Sequence, residues 1–173
     1  VKEKLGNPVW HVHNGQPPKE KNVISFGVLL NLVSASNAES EDVLWKFIKN
    51  YNSSISQDEH PILQKLIKNA IQYFNDIVKP NKKYRSASEI EKKALLELIE
   101  LLKKMPDGMD PSEIQTEVFT VGKNYYPKEK LRDWFKAIYE IVFGDEQGPR
   151  MGSFISFFGI KETIKLLEDS LKR

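Results

Sequence analysis

Apolar side chains recur at intervals of three and four along most of this chain, the spacing of one helix face. The clearest stripe is Ile62, Leu63, Leu66, Ile67, Ala70, Ile71, Phe74, Ile77 and Val78, with Lys65, Lys68, Gln72, Asn75 and Lys79 elsewhere on the wheel. Pro61 fits the first helical position, where its missing N–H costs nothing, and Pro80 is expected to end the helix. Ser88 and Glu91 stand at capping-box spacing, and Ile90, Ala94, Leu95, Leu98, Leu101 and Leu102 form the apolar face of a helix predicted over 89–104. Asp110, Pro111 and Glu113 start the next helix in the same way, and it is expected to fade near Tyr125–Pro127. A further helix over 128–143 presents Leu131, Trp134, Phe135, Ile138 and Val142, with Gly144 as its C-terminal cap.

The remaining elements are shorter or less amphipathic. Ser25 caps a run from Phe26 to Ser36 that is apolar almost all round, the pattern of a helix at the centre of a bundle. Ser40 caps Glu41–Tyr51, whose first turn carries Glu41 and Asp42 on the side the helix dipole favours. Pro149 is expected to open a short helix to Phe158, closed by Gly159, and a last helix runs from Lys161 to Leu171. Strict alternation occurs only at Val9–Val12, so no hairpin is predicted. The expectation is an all-α fold, a compact multi-helix bundle or helical cage of about eight helices. Residues 1–24 read as an irregular N-terminal segment and 25–173 as the helical domain, with a further division into subdomains over 25–105 and 106–173.

Composition narrows the classes of function. Of 173 residues, 40% are hydrophobic and 29% charged, which is globular rather than disordered composition. The absence of cysteine excludes a disulfide scaffold, Cys-ligated zinc and a Cys nucleophile. No apolar stretch is long enough to predict a membrane span. Val1–Lys4 is charged and Pro8 follows closely, unlike a signal peptide, and without an initiator Met the chain reads as a fragment of a longer one. The net charge of +2 hides a pattern: residues 61–85 hold six basic side chains against Asp76 alone, while 86–118 hold eight acids against four lysines. The basic segment ends in Lys79, Lys82, Lys83, Tyr84 and Arg85, a combination suited to phosphate and base contact. The competing reading is a solvated loop after a helix C-terminus.

Candidate chemistry is sparse. His11 and His13 make a His-x-His pair, but zinc wants three or four protein ligands and His60 is the one other histidine, so no metal site is assigned. A metal-dependent enzyme built on that pair is the weakest of the readings. Trp10, beside them, is either a core anchor or a stacking platform. Gly-x-Ser-x-Gly, phosphate-loop and dinucleotide motifs are all absent. The most distinctive stretch runs from Gly144 to Phe154, where three glycines and a proline punctuate a helix–turn–helix. Arg150 is expected in the first turn of the following helix. The dipole disfavours a cation there, so it should have a partner, either an acid of its own fold or an RNA phosphate.

The run Gly148–Thr163 (GPRMGSFISFFGIKET) resembles the C-terminal end of class I lysyl-tRNA synthetases. Further stretches match in the same order: Pro8–His13, Leu29–Glu39, Val43–Trp45, Tyr73–Phe74, Val78–Pro80, Val118–Gly122 and Asp133–Tyr139. Together they cover essentially the whole chain, and the bacterial branch of the family is the most similar. The resemblance implies a ligase that attaches lysine to tRNA(Lys) using ATP. Its two catalytic signature motifs do not occur in this sequence, so the resemblance implies the helical, anticodon-binding region, similar to the C-terminal cage of glutamyl-tRNA synthetases. ATP and lysine would then bind a catalytic domain that the 173 residues do not include, and no cofactor is expected here. The implied partner is tRNA(Lys), with no DNA and no membrane, in a cytoplasmic, monomeric fragment. Candidate RNA contacts are Trp10, His11, His13, Lys79, Lys82, Lys83, Tyr84, Arg85 and Arg150. The alternative from another class is a helical protein-interaction domain without an RNA role.

Overall fold

The computed structural model describes Gln16 and residues 23–173. Among these residues every regular element is helical, as the periodicity predicts. The helices are α1 (Phe26–Ser36), α2 (Glu41–Tyr51), α3 (Pro61–Tyr73) and α4 (Glu89–Lys104). They continue as α5 (Pro111–Tyr125), α6 (Leu131–Ile138), α7 (Met151–Phe158) and α8 (Ile160–Leu171). Two helices do not end where the α pattern ends. A π-helical turn over Phe74–Val78 joins α3 to a last α turn, Lys79–Asn81, and a second π turn over Tyr139–Phe143 prolongs α6.

Local chemistry explains most starts. Ser25 Oγ accepts from the Val28 N–H, and Asp110 accepts from the Ser112 N–H at 2.7 Å. Ser88 and Glu91 form the full capping box, each side chain bonded to the other's backbone N–H. Ser40 holds the cap position of α2, but its side chain makes no capping bond. Pro80 does not stop its helix. It lies inside the final turn, after a π turn that has already widened the spiral where a proline ring needs room. Pro149 does not open α7 either. The helix begins at Met151, and Arg150 occupies the cap position with an extended ψ of 117°.

The centre of the bundle is α7 rather than α1. Six of the eight α7 residues are buried, and the helix packs on α1, α2, α5 and α8. Phe154 and Ile155 are fully enclosed, each worth about 1.5–3 kcal/mol of burial. The crossing with α5 is close because Gly152 has no side chain: a Cβ there would sit 2.0 Å from the Pro111 carbonyl oxygen. Gln115 of α5 uses this proximity. Its Oε1 accepts from the Gly152 N–H at 2.9 Å and so satisfies a first-turn donor that Arg150 leaves uncapped. By contrast α1 is two-sided. Val28, Leu29, Leu32 and Val33 face the core, while Gly27, Asn31 and Ser34, spaced four and three residues apart, share the outward face. Its mostly apolar composition conceals that stripe.

A sharp chain reversal places the end of α6 against the end of α3. Gly144 makes it possible by adopting φ 67°, a left-handed conformation that costs glycine little.

Candidate nucleic-acid interface

The two segments that stood out in the sequence, 79–85 and 144–150, lie against each other. Lys82 joins them. Its ammonium donates to Ser34 Oγ on α1 and to the Phe143 carbonyl at the end of the second π turn. It lies 5.5 Å from the Phe74 ring centroid and 5.6 Å from that of Tyr84. Burial lowers its pKa to about 8, against the opposing pull of the Asp145 carboxylate and with a smaller contribution from Arg173. The next residue continues the seam, its Lys83 N–H donating to the Gly144 carbonyl at 2.8 Å. The Tyr84 ring then lies on Gly144, 3.1 Å from where a Cβ would stand, and the Arg173 guanidinium covers it at 4.4 Å.

Arg85 anchors the far end of the loop. Its guanidinium takes both oxygens of Glu91, at 2.9 and 2.7 Å, while its Nε bonds Glu140 at 2.6 Å. The Glu91 carboxyl falls to about 2, mainly through those bonds from Arg85 and further through Ser88. One carboxylate thereby caps α4 and fastens the loop.

The candidate residues separate into two groups. Lys82, Tyr84 and Arg85 each have partners within the fold, and the structure uses them to build the junction. Lys79, Lys83 and Arg150 are exposed, and their side chains have no partner among the described residues. For Arg150 this overturns the expectation of an acidic partner. The residue precedes the first helical turn, and an exposed guanidinium is well solvated there. Trp10, His11 and His13 lie outside the described residues, so the structure bears on none of them. Among the described residues no cluster of His, Cys, Asp or Glu is arranged to hold a metal ion, and no helix is long and apolar enough to cross a membrane.

Beside the junction runs a groove of about 410 Å³. Its floor is the outward face of α1, and Val78 and Lys82 border it on one side. Gln147, Pro149, Arg150 and Ser153 border it on the other. Asn31 is the floor's polar side chain with hydrogen-bonding capacity to spare. Its Nδ2 donates to the Gly27 carbonyl at 2.8 Å, which leaves Oδ1 an acceptor. Sequence reasoning did not pick out Asn31 or Gln147. The available signal was the one amide inside an otherwise apolar helical run. It also passed over Phe26 and Tyr73, an edge-to-face pair 6.0 Å apart and 36% and 45% exposed, whose Phe26 adjoins the groove residue Gly27. An exposed aromatic pair next to unpaired cations is the composition of a single-strand binding surface.

No family model matches the chain, and no solved structure matches it. Curated proteins do. The lysine–tRNA ligase of Roseobacter denitrificans is 40% identical over 169 residues, covering 98% of this chain and 32% of the relative. Those of Rickettsia bellii and Rickettsia conorii are 40% and 39% identical over 171 residues, with the same shares covered. The chain thus spans about a third of the length of the relatives it matches. Identity at this level along nearly the whole chain, in an all-helical fold, places it among the homologues of lysine–tRNA ligases, as a counterpart of about one third of such a protein.

Proposed function

We propose that the chain is the C-terminal, anticodon-binding part of a class I lysine–tRNA ligase, which binds tRNA(Lys) while ATP and lysine are handled by the remainder of the enzyme. The observation that carries the reading is the 40% identity to lysine–tRNA ligases over 98% of the chain. The geometry supports it. Lys79, Lys83 and Arg150 present unpaired positive charge around a groove with exposed aromatic rings at its margin. Loop nucleotides of a tRNA are unstacked, and proteins read such bases by stacking and edge hydrogen bonds while cations hold the backbone. The structure offers no arrangement for catalysis: its tightest charged cluster, Arg85 with Glu91 and Glu140, is closed on itself.

The test is binding of tRNA(Lys) to the 173-residue chain over a salt series. Three cations on a single-stranded loop give a slope of log K against log salt near −2, at about −0.7 per contact. Replacing Lys79 and Lys83 together by alanine should flatten it by about 1.4. Absence of binding at low salt would sink the reading, as would lysyl-adenylate formation by this chain alone.

A further inference from the structure

The groove over α1 has the dimensions and the chemistry of a site for one nucleotide. Its volume of about 410 Å³ falls in the range of small-ligand pockets, too small for a duplex. The floor is flat because Gly27 has open space where a side chain would be, with nothing within 4 Å. Val78 and Pro149 offer apolar surface on its two sides. Donors and acceptors converge on it. Asn31 keeps Oδ1 as an acceptor. Lys82 spends two of its three N–H groups on Ser34 and Phe143, which leaves one donor. Arg150 brings an uncommitted planar fork, the side chain best matched to a phosphate.

We infer that this groove holds one unstacked nucleotide of the bound RNA, its phosphate on Arg150 and its base over the Gly27–Asn31–Ser34 floor. This rests on the tRNA-binding reading above. The polar groups also choose among bases. An acceptor from Asn31 and a donor from Lys82, carried on neighbouring turns through Ser34, complement an imino N–H beside a carbonyl oxygen. Uracil and guanine present that pair on their edges, whereas cytosine and adenine have no imino proton. Lys82 is therefore a specificity-determining residue as well as the link between the loops. Arg150 holds the strand without reading it.

Three variants of the chain separate the roles. Gly27→Gln fills the floor from a position with room for it, and Asn31→Ala removes the acceptor. Each should weaken tRNA(Lys) binding about tenfold at an unchanged salt slope, with thermal midpoints near that of the wild type. Arg150→Ala should flatten the slope by about 0.7. An abasic scan of the tRNA loop should then find a position where base removal weakens the wild type about tenfold and has no further effect in Gly27→Gln. That position should be a uridine or guanosine. If Gly27→Gln and Asn31→Ala bind like the wild type while the Lys79, Lys83 variant weakens, the groove proposal is overturned and the broader reading stands. If Arg150→Ala leaves the slope unchanged, the phosphate assignment is overturned. If the wild type does not bind tRNA, both fall.

Discussion

Replacing Gly152 by alanine tests the packing at the heart of the bundle. A Cβ at this position would lie 2.0 Å from the Pro111 carbonyl oxygen and 2.9 Å from Gln115 N and Cβ. Carbon and carbonyl oxygen approach no closer than about 3.3 Å, so α5 and α7 must separate by roughly 1 Å. The obstacle is backbone, and no rotamer change relieves it. Overpacking of this kind costs about 1–3 kcal/mol. Separation also stretches the bond from Gly152 N–H to Gln115 Oε1, buried at 2.9 Å, and an unsatisfied buried donor costs another 1–3 kcal/mol. Alanine's better helix propensity returns at most about 1 kcal/mol. The destabilising terms win by about 2–4 kcal/mol, a large share of a typical total of 5–15. Urea unfolding followed by far-ultraviolet circular dichroism should show a midpoint lowered by 1–2 M at a slope near 2 kcal/mol per M. Gln115→Ala, which loses the hydrogen bond and gains no clash, should fall between the two. A Gly152→Ala protein as stable as the wild type would refute the close-contact account.

Arg85→Ala should cost about 2 kcal/mol at neutral pH, below the 3–5 of a fully buried pair because water screens the half-exposed guanidinium. The Glu91 pKa is depressed in the folded state, so this contribution is complete above the ordinary carboxylate value of 4.5 and fades as pH falls toward about 2. Acid titration of stability should therefore show wild type and variant converging at the acid end, and a constant gap would contradict the clamp. For Lys82 the sign is reversed. With its pKa lowered to about 8, the unfolded chain binds more protons above that pH, and stability should rise between pH 8 and 10. Lys82→Met should abolish that rise. Tyr139, whose pKa burial raises from 10, titrates beyond this window. Gly144→Ala forces a side chain into a left-handed conformation and against the Tyr84 ring, for an expected loss of about 1–2 kcal/mol by chemical denaturation.

The starts of helices were the most legible part of the chain, because Pro61, Ser88 with Glu91, and Asp110 with Pro111 act on neighbours within four residues. The number of helices followed from periodicity. Which helix occupies the centre did not. The run Phe26–Ser36 looks more buried than it is, since Gly27, Asn31 and Ser34 define a polar face only once a neighbour fails to cover it. Both π turns were invisible, as no residue type marks them. The candidate cations were correctly located in the chain, but their engagements depend on distant partners. Arg85 meets Glu140 across 55 residues, and Lys82 meets Phe143 across 61. Periodicity carries no information at that range.

The π turns set a rule about chain length. Each packs an additional residue into a helix immediately before a loop of the junction. Deleting one residue from Phe74–Val78 would let α3 wind on as a plain α-helix, turning all that follows by about 100° and drawing it back about 1.5 Å. Lys82 would then face away from Ser34 and the Phe143 carbonyl. The same deletion in Tyr139–Phe143 would carry Gly144 off the Tyr84 ring. Spacing from Pro61 to Lys82, and from Leu131 to Gly144, is therefore fixed to the single residue, whereas the exposed turn Pro106–Gly108 can be lengthened freely. An insertion–deletion scan would map the interface without altering one side chain that belongs to it.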